Sequence, residues 1–389
     1  MTLPRTRDRE ETKTRDIRVS RAHTFADDVA HPAPRIEKSA DVTPAILEDA
    51  LGLPAGSVAE PVRRMPLSGI GTSCRLYRLS AKRVDGGALP DLILKIGVPA
   101  EEATGFWSDR YFRREMEVYR LLAEERSSVA PACYLAGGEE AGDPGYYLLL
   151  EDCAVAAQPQ FTLDESWGRD ALETLVTAMA SLHESGLRDT IDPSGSRDWR
   201  PLLGLDDADC LSRFVRRFAD RLTPLERELC ALVAAHAPHL RSLVRAPTAL
   251  IHGDLHPLNI FFAADQSSVK FIDWQFAGWG AGAADLADVL QLYTPAIDRR
   301  VLGRDLARLY HRSVPLHRER NYTFDDLWHD LGIFGLLNVL KLPRLAANPL
   351  LPAGTVLRLF KRACLCVADR HRDWPLLDDQ IRRLLDDPR

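Results

Sequence analysis

Apolar positions recur with a period of two in the first part of the chain and of three to four beyond it. Cys74-Arg75-Leu76-Tyr77-Arg78-Leu79 alternates, while Leu92-Ile93-Leu94-Lys95-Ile96 and Tyr146-Tyr147-Leu148-Leu149-Leu150 are short apolar runs, the second closed by Glu151 and Asp152. Both patterns predict strands. Between them, Tyr111 to Leu122 sets Phe112, Met116 and Tyr119 on one helical stripe. Further on the helical period dominates: Leu172, Leu175, Val176, Met179, Leu182 and His183 share a face, as do Leu211, Phe214, Val215 and Phe218. Phe324, Leu327, Trp328 and Leu331 form a third stripe, and Val356, Leu359, Phe360, Ala363 and Val367 a fourth. The strand-like Val269-Lys270-Phe271-Ile272 interrupts them. The pattern predicts an α+β chain of two lobes, a smaller sheet-based one over 41–152 and a mostly helical one over 153–389. Residues 1–40, charged and punctuated by proline, read as a disordered or loosely packed extension.

Polar residues that break these patterns carry the chemistry. Lys95 interrupts an apolar strand, which is costly unless its ammonium meets an anion; at a sheet edge it would reach water instead. Glu115, about twenty residues on, falls on the apolar stripe of its helix, whereas Arg114 and Glu117 lie off it and read as solvated. An acid on such a face calls for a buried cation, so a Lys95–Glu115 ion pair is expected. Ser68-Gly69-Ile70-Gly71-Thr72-Ser73 separates two strands and offers amides that can cover phosphates. Such turns more often only turn. A glycine loop, a strand lysine and a helix glutamate, in that order, are the parts of a nucleotide lobe in phosphoryl transfer.

The densest signal is His252-Gly253-Asp254-Leu255-His256-Pro257-Leu258-Asn259, followed by the strand ending at Ile272 and then Asp273. Phosphoryl transfer from ATP needs a carboxylate at the acceptor hydroxyl, with an amide oxygen and a second carboxylate for magnesium. Asp254, Asn259 and Asp273 supply those three groups, the first two at the kinase catalytic-loop spacing of five. The same letters offer a rival: His252, Asp254, His256 and Asp273 as ligands of a hydrolytic metal. That rival accounts for neither Asn259 nor anything before residue 250.

These motifs resemble the aminoglycoside phosphotransferase and choline kinase-like families, in which H-G-D-x-x-x-x-N stands for H-R-D-x-x-x-x-N and I-D-W or I-D-F for D-F-G. Phe271-Ile272-Asp273-Trp274-Gln275 with Asp285-Leu286-Ala287 also resembles the ecdysteroid kinase-like branch. The resemblance implies a bilobal protein-kinase-like fold, with an antiparallel-sheet N-lobe and a mostly helical C-lobe carrying the acceptor pocket. It implies ATP and Mg2+ as cofactors, with adenine on the backbone around Glu151, Asp152 and Cys153, phosphates under Ser68, Gly69, Gly71, Thr72 and Ser73, and Lys95 oriented by Glu115. Asp254 would be catalytic, and Asn259 and Asp273 would hold the metal. His252 would hold the loop, and His183, His256 and Asp285 would be structural. Asp325, Asp326 and Asp330 are candidates to attract a cationic acceptor, or else ordinary acids of a helix N-terminus.

Composition narrows the class. A net charge of -6 and a pI near 6.0 disfavour nucleic-acid partners. No apolar run suits a membrane span, the nearest, Leu331 to Leu340, holding Asn338; the charged start lacks a secretory core. Seven cysteines without C-x-x-C spacing read as cytosolic thiols, with one of Cys364 and Cys366 facing the core. Gly253 replaces the arginine that reads a phosphorylated activation loop, and no Ser, Thr or Tyr lies between Asp273 and Asp285. The expectation is a cytoplasmic kinase acting on a hydroxyl of a small molecule (an antibiotic or other secondary metabolite, an amino alcohol or a sugar), with no obligate protein partner. A nucleotide-binding pseudokinase is the alternative from a binding class.

Overall fold

The computed structural model describes residues 34–67, 74–98, 109–125, 127–138, 146–155, 167–184, 208–345 and 352–373. The chain first forms α1 (Pro44–Ala50), β1 (Val58–Leu67), β2 (Cys74–Arg83), β3 (Leu92–Gly97), α2 (Asp109–Glu124), β4 (Cys133–Gly137) and β5 (Tyr147–Glu151). The strands make one antiparallel sheet in the order β1-β2-β3-β5-β4. The apolar run of β5 follows from burial on both faces. Tyr147 and Leu149 join a small core with Leu47, Val58 and Leu94; Leu148 and Leu150 face the opposite way, into the large core shared with α2 and the helices below.

The lower lobe comprises α3 (Gly168–Glu184), α4 (Ala208–Arg217), α5 (Pro224–Ser242), β6 (Thr248–Ile251), β7 (Ile260–Phe262), β8 (Val269–Phe271), β9 (Gly278–Ala281), α6 (Gly282–Ala287), a π-wound segment Asp288–Tyr293, α7 (Ala296–Ser313), α8 (Pro315–Glu319), α9 (Phe324–Leu345) and α10 (Ala353–Asp373). β6 pairs with β9, and β7 with β8, both antiparallel. These two ribbons matter most for the site, because residues 252–259 join β6 to β7 and residues 272–277 join β8 to β9. Among the described residues no helix is long and apolar enough to cross a membrane.

Three expectations change. Residues 34–40 are not loose: Ile36 is enclosed in the small core and the Tyr147 hydroxyl donates to the Pro34 carbonyl at 2.7 Å. Arg114 is buried rather than solvated, because α2 is covered on a second side, where Tyr111 meets Phe276 at 5.3 Å and Val118 is enclosed. Cys364 and Cys366 are both buried, since α10 lies against α9 and the π-wound segment at once, and burial pushes the Cys364 thiol up.

Candidate active site

Lys95 enters the cleft from β3, opposite Leu76 and Leu148 on the neighbouring strands. Its ammonium lies 2.7 and 3.0 Å from the two Glu115 oxygens and 2.7 Å from Asp273 Oδ1. Burial alone would drive the ammonium down, but the Asp273 and Glu115 carboxylates outweigh it and hold the group well above its usual range. Glu115 is brought there by helical period, on the same stripe as Phe112, Met116 and Tyr119, all buried. The expected pair therefore forms, and a third member from the other lobe joins it.

Asp273 sits in the left-handed region, at φ 66° and ψ 64°. A non-glycine residue there is uncommon and strained. The conformation is held by Lys95 on Oδ1 and by the Gln275 amide on Oδ2 at 3.2 Å. Trp274, next in the chain, is fully enclosed, donates to the Phe271 carbonyl at 3.1 Å and packs on His252.

The loop carrying Asp254 is fastened from behind. Asp285, at the start of α6, accepts from the His252 amide at 2.7 Å and the Gly253 amide at 2.9 Å, and meets His183 Nε2 at 3.2 Å. His183 Nδ1 in turn contacts the Tyr310 hydroxyl at 2.7 Å. The His252 Nε2–H donates to the Ile272 carbonyl at 2.9 Å, which leaves Nδ1 to accept from the Asp254 amide at 3.3 Å. Burial holds that imidazole below its usual value, in keeping with a neutral ring. Gly253 has φ +78°, and a Cβ there would stand 2.3 Å from the Phe276 carbonyl oxygen. Only glycine fits.

Asn259 Nδ2 donates to the Asp254 carbonyl at 3.0 Å, so its amide oxygen is the end turned away from that bond. Asp254 itself is partly exposed, with His256 Nε2 3.5 Å from Oδ2. Burial would raise its carboxyl, yet His256 and the more distant Lys341 bring it down to about 2. His256, read from the sequence as structural, thus lies beside the central carboxylate. Lys341 on α9 forms a very short ion pair with Asp288, and burial pushes Asp288 up to about 6. This pair went unread in the sequence. Its signal, a lysine within the apolar Leu336-to-Leu342 run, is the one that exposes Lys95.

Other candidates fall elsewhere. Ser68, Gly69, Gly71, Thr72 and Ser73 lie outside the described residues. Glu151 is taken up by Lys270 at 2.5 Å and by the Ala132 amide at 3.0 Å, and Asp152 by a very short contact with Arg78. The amides of Glu151 and Asp152 are bound to the carbonyls of Ala132 and Asp91. Asp330 is fully buried and accepts from the Arg245 and Ala246 amides, and Asp326 caps its own helix at Thr323 and pairs with Arg245, so both carboxylates are already engaged. Among the described residues no cluster of three or more His, Cys, Asp or Glu is placed to hold a metal ion. Both His252 ring nitrogens being engaged, the hydrolytic metal set does not assemble.

A family model described as the phosphotransferase enzyme family matches residues 72–321, a span containing Lys95, Glu115, Asp254, Asn259, Asp273 and Asp285. No curated protein matches the chain. Among solved structures, choline kinase from Cryptosporidium parvum Iowa II aligns with TM-score 0.52 and 15% identity, over 84% of this chain and 92% of that one. A Ralstonia eutropha JMP134 protein named as an aminoglycoside phosphotransferase aligns with TM-score 0.50 and 15% identity, over 79% and 91%. At such identity the likeness establishes the bilobal kinase-like fold alone.

Proposed function

The chain belongs to the phosphotransferase enzyme family, and from that premise we propose that it is an ATP- and Mg2+-dependent kinase that phosphorylates a hydroxyl of a small molecule in the cytoplasm. The acceptor would be an antibiotic or other secondary metabolite, an amino alcohol or a sugar. One observation carries the reading: Lys95 of the sheet lobe and Asp273 of the helical lobe meet at 2.7 Å, in front of a loop that presents Asp254 and Asn259. That is the set of groups phosphoryl transfer requires.

The metal fits the donors at hand. The Asn259 amide oxygen and the Asp273 carboxylate are hard oxygens of the kind magnesium takes. Bound there, the ion would neutralise charge on the transferring phosphoryl group. Lys95, steered by Glu115, would hold the α and β phosphates. Asp254, kept ionised at about 2, is too weak a base to strip an alcohol beforehand. In a loose transition state its part is to orient the hydroxyl and receive the proton late. Gly253 and the hydroxyl-free stretch 274–284 leave nothing for an activating phosphate to act on.

Calorimetry and turnover of Asp273→Ala and Asp254→Ala test the division of roles. Asp273→Ala should weaken Mg·ATP binding and abolish transfer; Asp254→Ala should abolish transfer with nucleotide affinity nearly intact. Equal loss of affinity in both overturns it. Screening ATP consumption against hydroxylated metabolites would identify the acceptor, and phosphatase treatment should leave turnover unchanged. Robust phosphorylation of peptides would refute the small-molecule assignment.

A further inference from the structure

The lower lobe holds a cavity of about 500 Å3, between the segment joining α5 to β6, the short α8 and the first turn of α9. None of the groups assigned above to phosphoryl transfer lines it. Arg245, Thr248, Leu316, Arg320, Tyr322 and Asp326 do. Its walls are fastened to one enclosed carboxylate: Asp330 accepts from the Arg245 amide at 3.0 Å, the Ala246 amide at 2.7 Å and the Tyr322 hydroxyl at 2.9 Å. The cavity is therefore shaped before any ligand arrives, and its size is that of small-molecule sites.

The lining has a definite chemistry. Arg245 donates to Asp326 at 2.8 Å and the two charges cancel. Arg320 forms no ion pair among the described residues and stands exposed at the rim. Leu316, Tyr322 and Thr248 complete a lining of mixed polarity. A guanidinium without an ion pair in such a lining suits a carboxylate or phosphate ester on a small organic body.

Both walls run on to the catalytic loop. Thr248 opens β6, whose far end delivers His252, four residues or roughly 13 Å away. Tyr322 packs on His317 at 4.9 Å between ring centres, and His317 on Tyr310 at 5.5 Å. Tyr310 meets His183 and His183 meets Asp285, the carboxylate that clamps the amides of His252 and Gly253. We propose that this cavity is an effector site for a small organic anion, and that its occupation stiffens the catalytic loop. A ligand that binds this arrangement stabilises it by mass action.

The test uses phenyl phosphate as probe on the full chain, with binding followed by calorimetry and backbone amides by hydrogen exchange. Saturable binding is expected, weakened at least tenfold in Arg320→Glu and partly restored in Arg320→Lys. Arg320 is exposed, so both variants should fold. Exchange at His252 and Gly253 should slow on addition of the probe to the parent protein, and not in Arg320→Glu. Absence of binding, or binding that Arg320→Glu leaves intact because the anion sits elsewhere, overturns the site. Binding at Arg320 with unchanged exchange at those two amides overturns its effector role.

Discussion

Two regions of this molecule bury a lysine among carboxylates, and they do so to different ends. In the cleft, Lys95 is shared between Glu115, which is 1% exposed in its side chain, and Asp273, which is 30% exposed and belongs to the other lobe. Inside the helical lobe, Lys341 and Asp288 form a closed pair from α9 and the π-wound segment. The first assembly has an open end at Asp273, which under the proposed function would trade its lysine contact for a ligand. The second is complete, and its effect on Asp254 is through space. Placement, more than pairing, separates a group that handles substrate from one that shapes the field around it.

Turnover should divide the two most sharply. Lys95→Met is expected to lower phosphoryl transfer by ~10²- to 10³-fold, the usual consequence of losing one preorganised donor to developing charge. Lys341→Met, measured in the same assay, should stay much nearer the parent. Equal losses would erase the distinction. Stability gives the converse view: removing Lys341 alone leaves Asp288 buried and unpaired, at a cost of about 3 to 5 kcal/mol. Urea melts of Lys341→Met, Asp288→Asn and the double variant should show the double costing less than the sum of the two. Strict additivity would mean that the pair contributes nothing as a pair.

The helical lobe also keeps His317 uncharged, which makes its surroundings acid-sensitive. Burial pushes His317 down to about 4, against the ring of His311 and beside Tyr310 and Tyr322. Its folded value is depressed, so the unfolded chain binds a proton that the folded chain refuses between the two values. The contribution is present above pH ~6.5 and lost as the pH falls toward about 4, worth roughly 3 kcal/mol. Melts of His317→Gln should show a flatter decline across that window; a parallel decline would place the acid sensitivity elsewhere. The smallest effect is expected where Lys270 of β8 and Glu151 at the end of β5 pair at about one-third exposure each. Lys270→Ala should cost less than ~1 kcal/mol, and a larger loss would show that this pair behaves like the buried ones.

What could be read from the residues follows the same division. Lys95, Glu115, Asp254, Asn259 and Asp273 show themselves because each interrupts a local pattern or keeps a fixed spacing, and the structure brings all five to one cleft. Lys341 interrupts a pattern equally well, yet its partner lies 53 positions away in a stretch wound as a π-helix, where the 3.6-residue period that tells inside from outside no longer holds. Asp326 and Asp330 look alike on a helical wheel, but what decides their use is the approach of Arg245, whose backbone amide meets Asp330 and whose guanidinium meets Asp326, a tertiary event. Ile36, a lone apolar residue among charges, gives no periodic hint that it seals the small core. The candidate site residues were therefore written locally, and the residues that support them only in the packing.

Gly253 carries an implication for descent. Because the Phe276 carbonyl oxygen would stand 2.3 Å from any Cβ at that position, every amino acid replacement there must displace the turn after Asp273 before it can add a function. A lineage with this turn cannot acquire an arginine beside Asp254 by one substitution at position 253; the segment around Phe276 has to move first. The step from this loop to one governed by an activation segment is thus obstructed by backbone geometry, and the ancestry of such chains should show changes near Phe276 preceding any change at the glycine.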